Sequence, residues 1–483
     1  VFGIIFVSAK PKNRIIDMAL FKIFLRAARN IFAILPISLG TRLRIKNQIF
    51  SILGERASSL PGYHDWKRRS DNNAGIISAP AEPVLVVWEK HYASDVRPTF
   101  VFISHDVGGG TEQHVLFLKN ALAREGIRIL ALRHSEPKSN RLLLHGFAPD
   151  ATARMEFDIS NEKDSLLFVL RSGNVKHIHV HHTLHMPENI LSFISSISKE
   201  LGVRYDYTAH DYLSICPRFT LYQDGTGGYC GEPDIKGCAG CLATYGSDYG
   251  HDIDMHKWRK TFEVFLHGAR RVFTPDDDVS RRLKRYFPEA AIQTRPHEEI
   301  FSSIETLAGE RKNGEALKVV VLGAIAPHKG ASIIFDCAQD ALNRNLNIHF
   351  TVIGYTSEDW KRKPLSNMTI TGGYTDEQLN QWIKNGKFHL SFFPAVWPET
   401  YSYTLSLAMR FGLHPVAFDL GAIGRRIIAA GFGSVLPYAD FRFPSKINDA
   451  LLAIKPAQPP ADLMQKNFVR YASYTKEYYE LKF

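Results

Sequence analysis

The sequence predicts an α/β protein built from two Rossmann-like parallel-sheet domains facing a cleft, with an N-terminal helical extension. Three observations carry that expectation. From about residue 97, short β-branched or apolar runs alternate with helical stretches, the pattern of parallel strands covered by helices on both faces. The alternation breaks near 296–315 and then resumes, so it comes in two halves. The residues able to do chemistry follow the strands, where open α/β sheets bind ligands.

The elements follow in chain order. Residues 15–35 have helical periodicity, stopped by Pro36. Lys22, Arg26 and Arg29 share one stripe of that helix, with Arg42, Arg44 and Lys46 close behind. A basic amphipathic helix of this kind suits an anionic membrane surface, and one packed on a protein domain would look the same. Residues 55–95 carry Pro, Gly, Asn and Ser and predict a linker, so 1–95 forms an extension. The first domain is expected over 96–296, with strands TFVFIS (99–104), IRILAL (127–132), VKHIHVHH (175–182), VRYDYTAH (203–210) and RRVFTP (270–275). The second is expected over 316–460, with strands KVVVLGA (318–324), IHFTVIG (348–354), MTITGG (368–373), FHLSFFP (388–394) and HPVAFD (414–419). Helices are expected at 111–124, 331–344, 375–384 and 402–411.

Composition excludes several classes. Of 483 residues, 45% are hydrophobic and 22% charged, which rules out a wholly disordered chain. No apolar run reaches the ~18 residues of a membrane span. Five Cys are too few for a disulfide scaffold. The opening VFGIIFV is short and its basic residues follow it, so no export signal is expected and the compartment is expected to be cytoplasmic and reducing. A net charge of +10 favours anionic partners such as nucleotides or phospholipid surfaces. Nucleic acid has only that charge in its favour and is not expected as a partner. No strand leads into a dinucleotide fingerprint, which disfavours a nicotinamide oxidoreductase.

Several motifs carry candidate chemistry. The first strand runs into HDVGGGTEQHV, where Gly108, Gly109 and Gly110 would let a helix N-terminus approach a phosphate or sugar; a tight turn would read the same way. Five His lie in HIHVHHTLH (177–185), without a carboxylate or Cys among them to complete a metal shell. His210 ends a strand, where it could hydrogen-bond a sugar hydroxyl or steady a developing charge. Cys216, Cys230, Cys238 and Cys241 share a Gly- and Pro-rich loop, about 211–250, with the spacing C-x13-C-x7-C-x2-C. In a reducing compartment that pattern suits a structural zinc with four thiolate ligands; an iron–sulfur cluster, disulfides or free thiols are the alternatives. In the second half, Lys329 precedes Gly330 and a helix, a position suited to a diphosphate, and Glu399 follows Pro398 after a strand, where it could grip sugar hydroxyls or merely cap a helix.

Over about 97–483 the chain resembles the family 4 glycosyltransferases of GT-B fold, the retaining "glycosyl transferases group 1". The strings that carry the resemblance are WPETYSYTLSLA, GAIAPHKG and the HDYLSICPR segment followed by the remaining three cysteines. They are most similar to bacterial surface-polysaccharide enzymes. The resemblance implies transfer of a sugar from a nucleotide-diphosphate sugar to a growing glycan or lipid-linked glycan of O-antigen, capsule or exopolysaccharide type, with no metal needed for the chemistry, and a C-terminal helix at 461–483 that crosses back to the first domain. It implies that Gly108–Gly110 approach the donor and that His210 lies beside the transferred sugar. Lys329 would hold the diphosphate and Glu399 would be the first Glu of an E-x7-E motif. Thr404 and Leu405 would open the helix facing the phosphate, and Gly373 and Tyr374 would border the base. The chain departs from the pattern at Leu407, where the second Glu is expected, at Arg425, where a Glu is expected, and at Ala324, in a region that usually holds an Arg. A degenerate GT-B protein that binds nucleotide sugar without turnover is the alternative these departures support.

Overall fold

The computed structural model describes residues 84–105, 108–136, 139–146, 154–299, 303–358, 362 and 364–482; the basic segment at 15–46 lies outside them. The strands are β1 (Thr99–Ile103), β2 (Arg128–His134), β3 (Arg141–Gly146), β4 (Arg154–Asp158), β5 (Val175–Val180) and β6 (Tyr205–Thr208), the hairpin β7 (Tyr222–Gln223) and β8 (Gly228–Tyr229), then β9 (Arg271–Thr274) and β10 (Ile292–Thr294). After the connection come β11 (Leu317–Ile325), β12 (Ile348–Thr356), β13 (Met368–Ile370), β14 (Leu390–Phe393), β15 (His414–Phe418) and β16 (Ser434–Leu436). The helices of the first half are α1 (Val84–His91), α2 (Gly109–Arg124), α3 (Lys163–Ser172), α4 (Ile190–Leu201), α5 (Ile235–Tyr245), α6 (Met255–Gly268) and α7 (Asp277–Tyr286). Those of the second are α8 (Ala331–Asn343), α9 (Asp376–Gly386), α10 (Tyr403–Arg410), α11 (Gly421–Ala430), α12 (Pro444–Ala453) and α13 (Leu463–Asn467).

Two sheets result. The first has the order β10-β9-β6-β5-β1-β2-β3-β4 and the second β13-β12-β11-β14-β15-β16. The second is parallel throughout; in the first, β3 and β4 add antiparallel strands at one edge. That edge is absent from the strand–helix alternation because β2, β3 and β4 pair as antiparallel neighbours. The first sheet changes direction of winding between β1 and β5, the second between β11 and β14. Those two switch points open crevices beyond the strand ends.

Central strand β1 shows how the core is made. All five of its side chains are buried. Phe100 and Phe102 face one layer with Val115, Leu118 and Phe273, while Val101 and Ile103 face another with Leu130, Ile178 and Leu166. Period-two alternation on a strand covered on both faces explains the continuous apolar run in the sequence. Each such side chain contributes about 1.5–3 kcal/mol when fully buried.

Two expectations need correction. Residues 84–91 form a helix rather than linker, because Val87 and Trp88 bury one face. The C-terminal segment does return to the first sheet, but as the short α13 and one π-turn at Tyr474–Tyr478, not as one long helix. Its polar groups are taken elsewhere: Glu125 accepts from Tyr474 N, Thr475 N, Thr475 Oγ1 and Ser473 Oγ. Tyr474, Tyr478 and Tyr479 then complete the layer around Phe100, Phe102 and Phe273.

Candidate functional site

Lys329 and Glu399 follow β11 and β14, the two strands that flank the second switch point. Their loops are joined by Val396 N donating to His328 O at 2.9 Å. Gly330 makes the turn possible: its φ is +81°, and a Cβ there would lie 2.0 Å from Pro394 O. Lys329 Nζ stands 3.3 Å from Glu399 Oε1, with Glu399 buried and Lys329 reaching the surface. Trp397 Nε1 donates to the same oxygen at 3.3 Å. Gly421, with φ +67° and a would-be Cβ 2.6 Å from Pro398, lets α11 start against this loop, where Ala422 N donates to Glu399 O at 2.9 Å.

The loop carrying Glu399 also meets the first sheet. Thr400 Oγ1 donates to His210 O at 2.6 Å, and Tyr212 OH donates to Pro398 O at 2.8 Å. The two candidate catalytic residues therefore sit on segments that touch. Gly108 and Gly109, both at positive φ, begin α2 after β1, and a Cβ on Gly110 would lie 3.7 Å from the Tyr403 ring. The glycine turn thus faces the start of α10. At that start Ser402 caps the helix by accepting from Leu405 N at 3.2 Å, so the Leu405 amide is already used. Leu405 itself is buried in the core, and Thr404 Cγ2 lies 3.4 Å from the Cβ position of Gly323. Gly373 and Tyr374 follow edge strand β13, two strands from β11, or roughly 10 Å away. The structure does not bring them to Lys329; Tyr374 instead packs toward Trp382.

The histidines of β5 take separate roles. His177 pairs with Asp206 at 2.9 Å. His179 lies between Tyr479 OH at 2.6 Å and Thr208 Oγ1 at 2.7 Å, and His182 meets Asp211 at 2.8 Å. His181 turns to His210, with Nδ1 and Nε2 3.2 Å apart. Burial, then neighbouring imidazoles, pushes the pKa of His181, His210 and His114 well below the ordinary value, so these rings are neutral.

A buried polar cluster lies beside α10 that the motifs did not announce. Glu299 accepts from Tyr401 OH at 2.5 Å and from Ser406 Oγ. Arg426 donates to Ser402 O at 3.0 Å and to Ser406 Oγ at 2.7 Å, and lies over the Tyr401 ring. Burial raises the Glu299 carboxyl pKa, against the pull of Arg426 and the two hydroxyls. The string RPHEE at 295–299, charged residues opening the connection between halves, was the available signal. Leu407, half-buried, packs against the second core next to this cluster. Arg425 turns away to Asp276 at 3.0 Å and Asp277 at 3.4 Å on the first half.

The cysteine loop is held by its surroundings. Cys238 and Cys241 lie on α5, capped by Asp234, and Cys216 and Cys230 pack against the first core. Burial pushes the Cys216 thiol up to about 12, and Cys230, Cys238 and Cys241 push it the same way, so the four are electrostatic neighbours. Arg259 Nη2 lies 3.3 Å from Cys238 Sγ. The donor set fits zinc, although the four sulfurs are not gathered as closely as the one set of ligand atoms within 4.8 Å found among the described residues, which is made of histidines. The loop also spans the halves: Tyr229 N donates to Tyr438 OH at 2.7 Å, and Arg442 to Thr226 O at 2.6 Å.

Neither a family model nor a curated protein matches the chain. Among solved structures, it is similar to a sucrose-phosphate synthase from Thermosynechococcus elongatus, at 13% identity over 74% of this chain and 90% of that one, TM-score 0.47. It is similar to Anabaena HepE, crystallised with UDP and glucose, at 10% identity over 77% and 96%, TM-score 0.48. It is likewise similar to the lipopolysaccharide outer core galactosyltransferase WaaB, at 10% identity over 76% and 94%, TM-score 0.48.

Proposed function

We propose that the chain is a retaining glycosyltransferase that moves a sugar from a nucleotide-diphosphate donor to a growing surface glycan. The observation that carries this reading is the Lys329–Glu399 pair at the switch point of the second sheet, on a loop bonded to the His210 segment of the first. The bond from the anomeric carbon to the diphosphate oxygen breaks, with its electrons leaving on that oxygen. An acceptor hydroxyl oxygen bonds to the same carbon on the same face and gives its proton to the departing phosphate. Lys329 stabilises the negative charge that develops there, in a crevice where such an interaction is stronger than in water. Glu399 orients Lys329 and accepts from sugar hydroxyls, and His210 lines the sugar from the opposite domain. The Gly108–Gly110 turn brings the α2 N-terminus toward the same charge.

A specific pair of observations favours the second reading, a binding protein without turnover. Leu407 supplies no carboxylate for a ribose, and Arg425 is engaged by Asp276 rather than by the site. Isothermal titration with a panel of nucleoside diphosphates, paired with mass spectrometry of donor and lipid-linked acceptor mixtures, separates the two. Binding with transfer supports the enzyme; binding without transfer or donor hydrolysis supports the second; no binding removes both.

The cysteine loop holds a structural zinc in this reading, through Cys216, Cys230, Cys238 and Cys241, with no role in the chemistry. The protein works on the cytoplasmic face of the plasma membrane, where the basic segment at 15–46 meets anionic lipid. Flotation with anionic liposomes that weakens with salt and is lost on removing residues 1–50 tests that contact.

A further inference from the structure

We propose that His114, His181 and His210 form a binding site for a divalent transition-metal ion of the zinc class, separate from the cysteine loop. His114 comes from α2, His181 follows β5, and His210 lies just beyond β6, so three elements around the first switch point converge. One ligand nitrogen from each lies within 4.8 Å of the other two. His181 Nδ1 and His210 Nε2 are 3.2 Å apart. Two imidazoles bound to one tetrahedral ion at about 2.0 Å place their nitrogens roughly 3.3 Å apart, so an ion bound here would replace the His181 Nδ1–His210 Nε2 hydrogen bond with little movement of either ring.

The second observation is what the nitrogens lack. His114 and His181 are almost wholly buried, and His114 Nδ1 and His181 Nε2 have no hydrogen-bond partner. His297, stacked on His114 with ring centroids 3.7 Å apart, leaves its Nδ1 unpartnered as well. Buried ring nitrogens are ordinarily satisfied. The neighbouring His179 and His182 are, by Tyr479 with Thr208 and by Asp211, while His177 Nε2 stands 2.9 Å from the Asp206 carboxylate as an ion-pair contact. Two of the three converging rings, His114 and His181, thus carry a buried nitrogen without a partner. Three imidazoles with no carboxylate select zinc, cobalt, nickel or copper over magnesium or calcium. His210, the least buried of the three, leaves one side of such an ion toward the cleft.

The inference does not depend on the transfer reaction, and its readout is binding. The full chain, stripped with a chelator, is titrated with cobalt(II) and followed by absorption. Cobalt on thiolates gives sulfur-to-metal charge transfer in the near ultraviolet; cobalt on imidazoles gives visible d–d bands without it. One equivalent of the second kind is expected, weakened at least 100-fold by His181→Gln and by His210→Gln and unchanged by His91→Gln. Circular dichroism checks the fold of each variant, and the half-buried His210 position carries the comparison if His181→Gln does not fold. Absence of the imidazole-type equivalent in the native chain, or its persistence in a folded His210→Gln variant, overturns the site.

Discussion

Arg425 Nε lies 3.0 Å from Asp276 Oδ1, joining α11 of the second half to the residue that caps α7 of the first. Arg425 thus serves as a tie between the two halves. Arg425→Glu should therefore lower stability by about 1 kcal/mol, the range of a partly exposed pair, since it sets a carboxylate against Asp276 and Asp277. Asp276→Arg alone also removes the α7 cap, so the double-mutant cycle is the measure: the two substitutions together should cost less in thermal unfolding than the sum of the two alone. Strict additivity of the two substitutions would show that the pair contributes nothing.

Glu399→Ala should cut kcat/KM at least ~100-fold, about 2.7 kcal/mol of transition-state stabilisation. Lys329→Ala should fall mainly in kcat, because the charge it meets develops only as the bond breaks. Steady-state kinetics on a transferring donor–acceptor pair checks both. An unchanged Glu399→Ala enzyme would remove this crevice as the donor site.

Leu407→Glu should tighten nucleotide binding about 10-fold, read mostly in KM, because a ribose is gripped equally in ground and transition states. Leu407 is half-buried against the second core, so the new carboxylate has a route to solvent at the cost of some packing. Titration calorimetry with the preferred nucleoside diphosphate measures it. Weaker binding in a folded variant would mean that the pocket has been rebuilt around the leucine.

Protein purified without added metal should carry about one zinc on the cysteine loop, and Cys238→Ser should release it. Because that loop bonds to Tyr438 and Arg442 of the other half, zinc loss should raise proteolysis at 211–250 and lower the unfolding temperature. Elemental analysis with limited proteolysis decides this. Full stability of the metal-free chain would argue against a structural ion.

Acid should loosen the C-terminal segment. Burial raises the Glu125 pKa, but hydrogen bonds from Thr475, Tyr474 and Ser473 outweigh it and hold the folded value below the ordinary 4.5. The contribution is complete above that ordinary value and is lost as pH falls through the lower folded one. Glu125→Ala should remove it at neutral pH, costing about 1–3 kcal/mol. Hydrogen exchange of residues 470–482 between pH 6 and pH 3 follows the change; exchange that is flat over this window in the native chain would refute it.

The strand–helix alternation made both parallel sheets legible, because strands buried on two faces are written as continuous apolar runs such as TFVFI and KVVVLGA. The antiparallel edge escaped it, since β2, β3 and β4 pair outside the parallel strand–helix pattern. Loop strings gave the positions of Lys329, Glu399 and His210, but periodicity cannot say that Thr400 would reach His210. Glu299, Arg426 and His114 stayed hidden for a related reason. Each lies 20 or more residues in sequence from the residues it faces, and apart from the charged RPHEE string no local motif marks them. That Tyr374 follows an edge strand two places from β11 was not legible either, because sheet order, not chain order, sets which loops are neighbours.

The docking of Tyr474, Tyr478 and Tyr479 beside Phe100 and Phe102 has a consequence for biosynthesis. A ribosome finishes the strand bearing the phenylalanines some 370 residues before it releases the tyrosines that cover them. Through that interval only α2 and β9 cover the phenylalanines, so this aromatic layer stays incomplete long after its strands have been made.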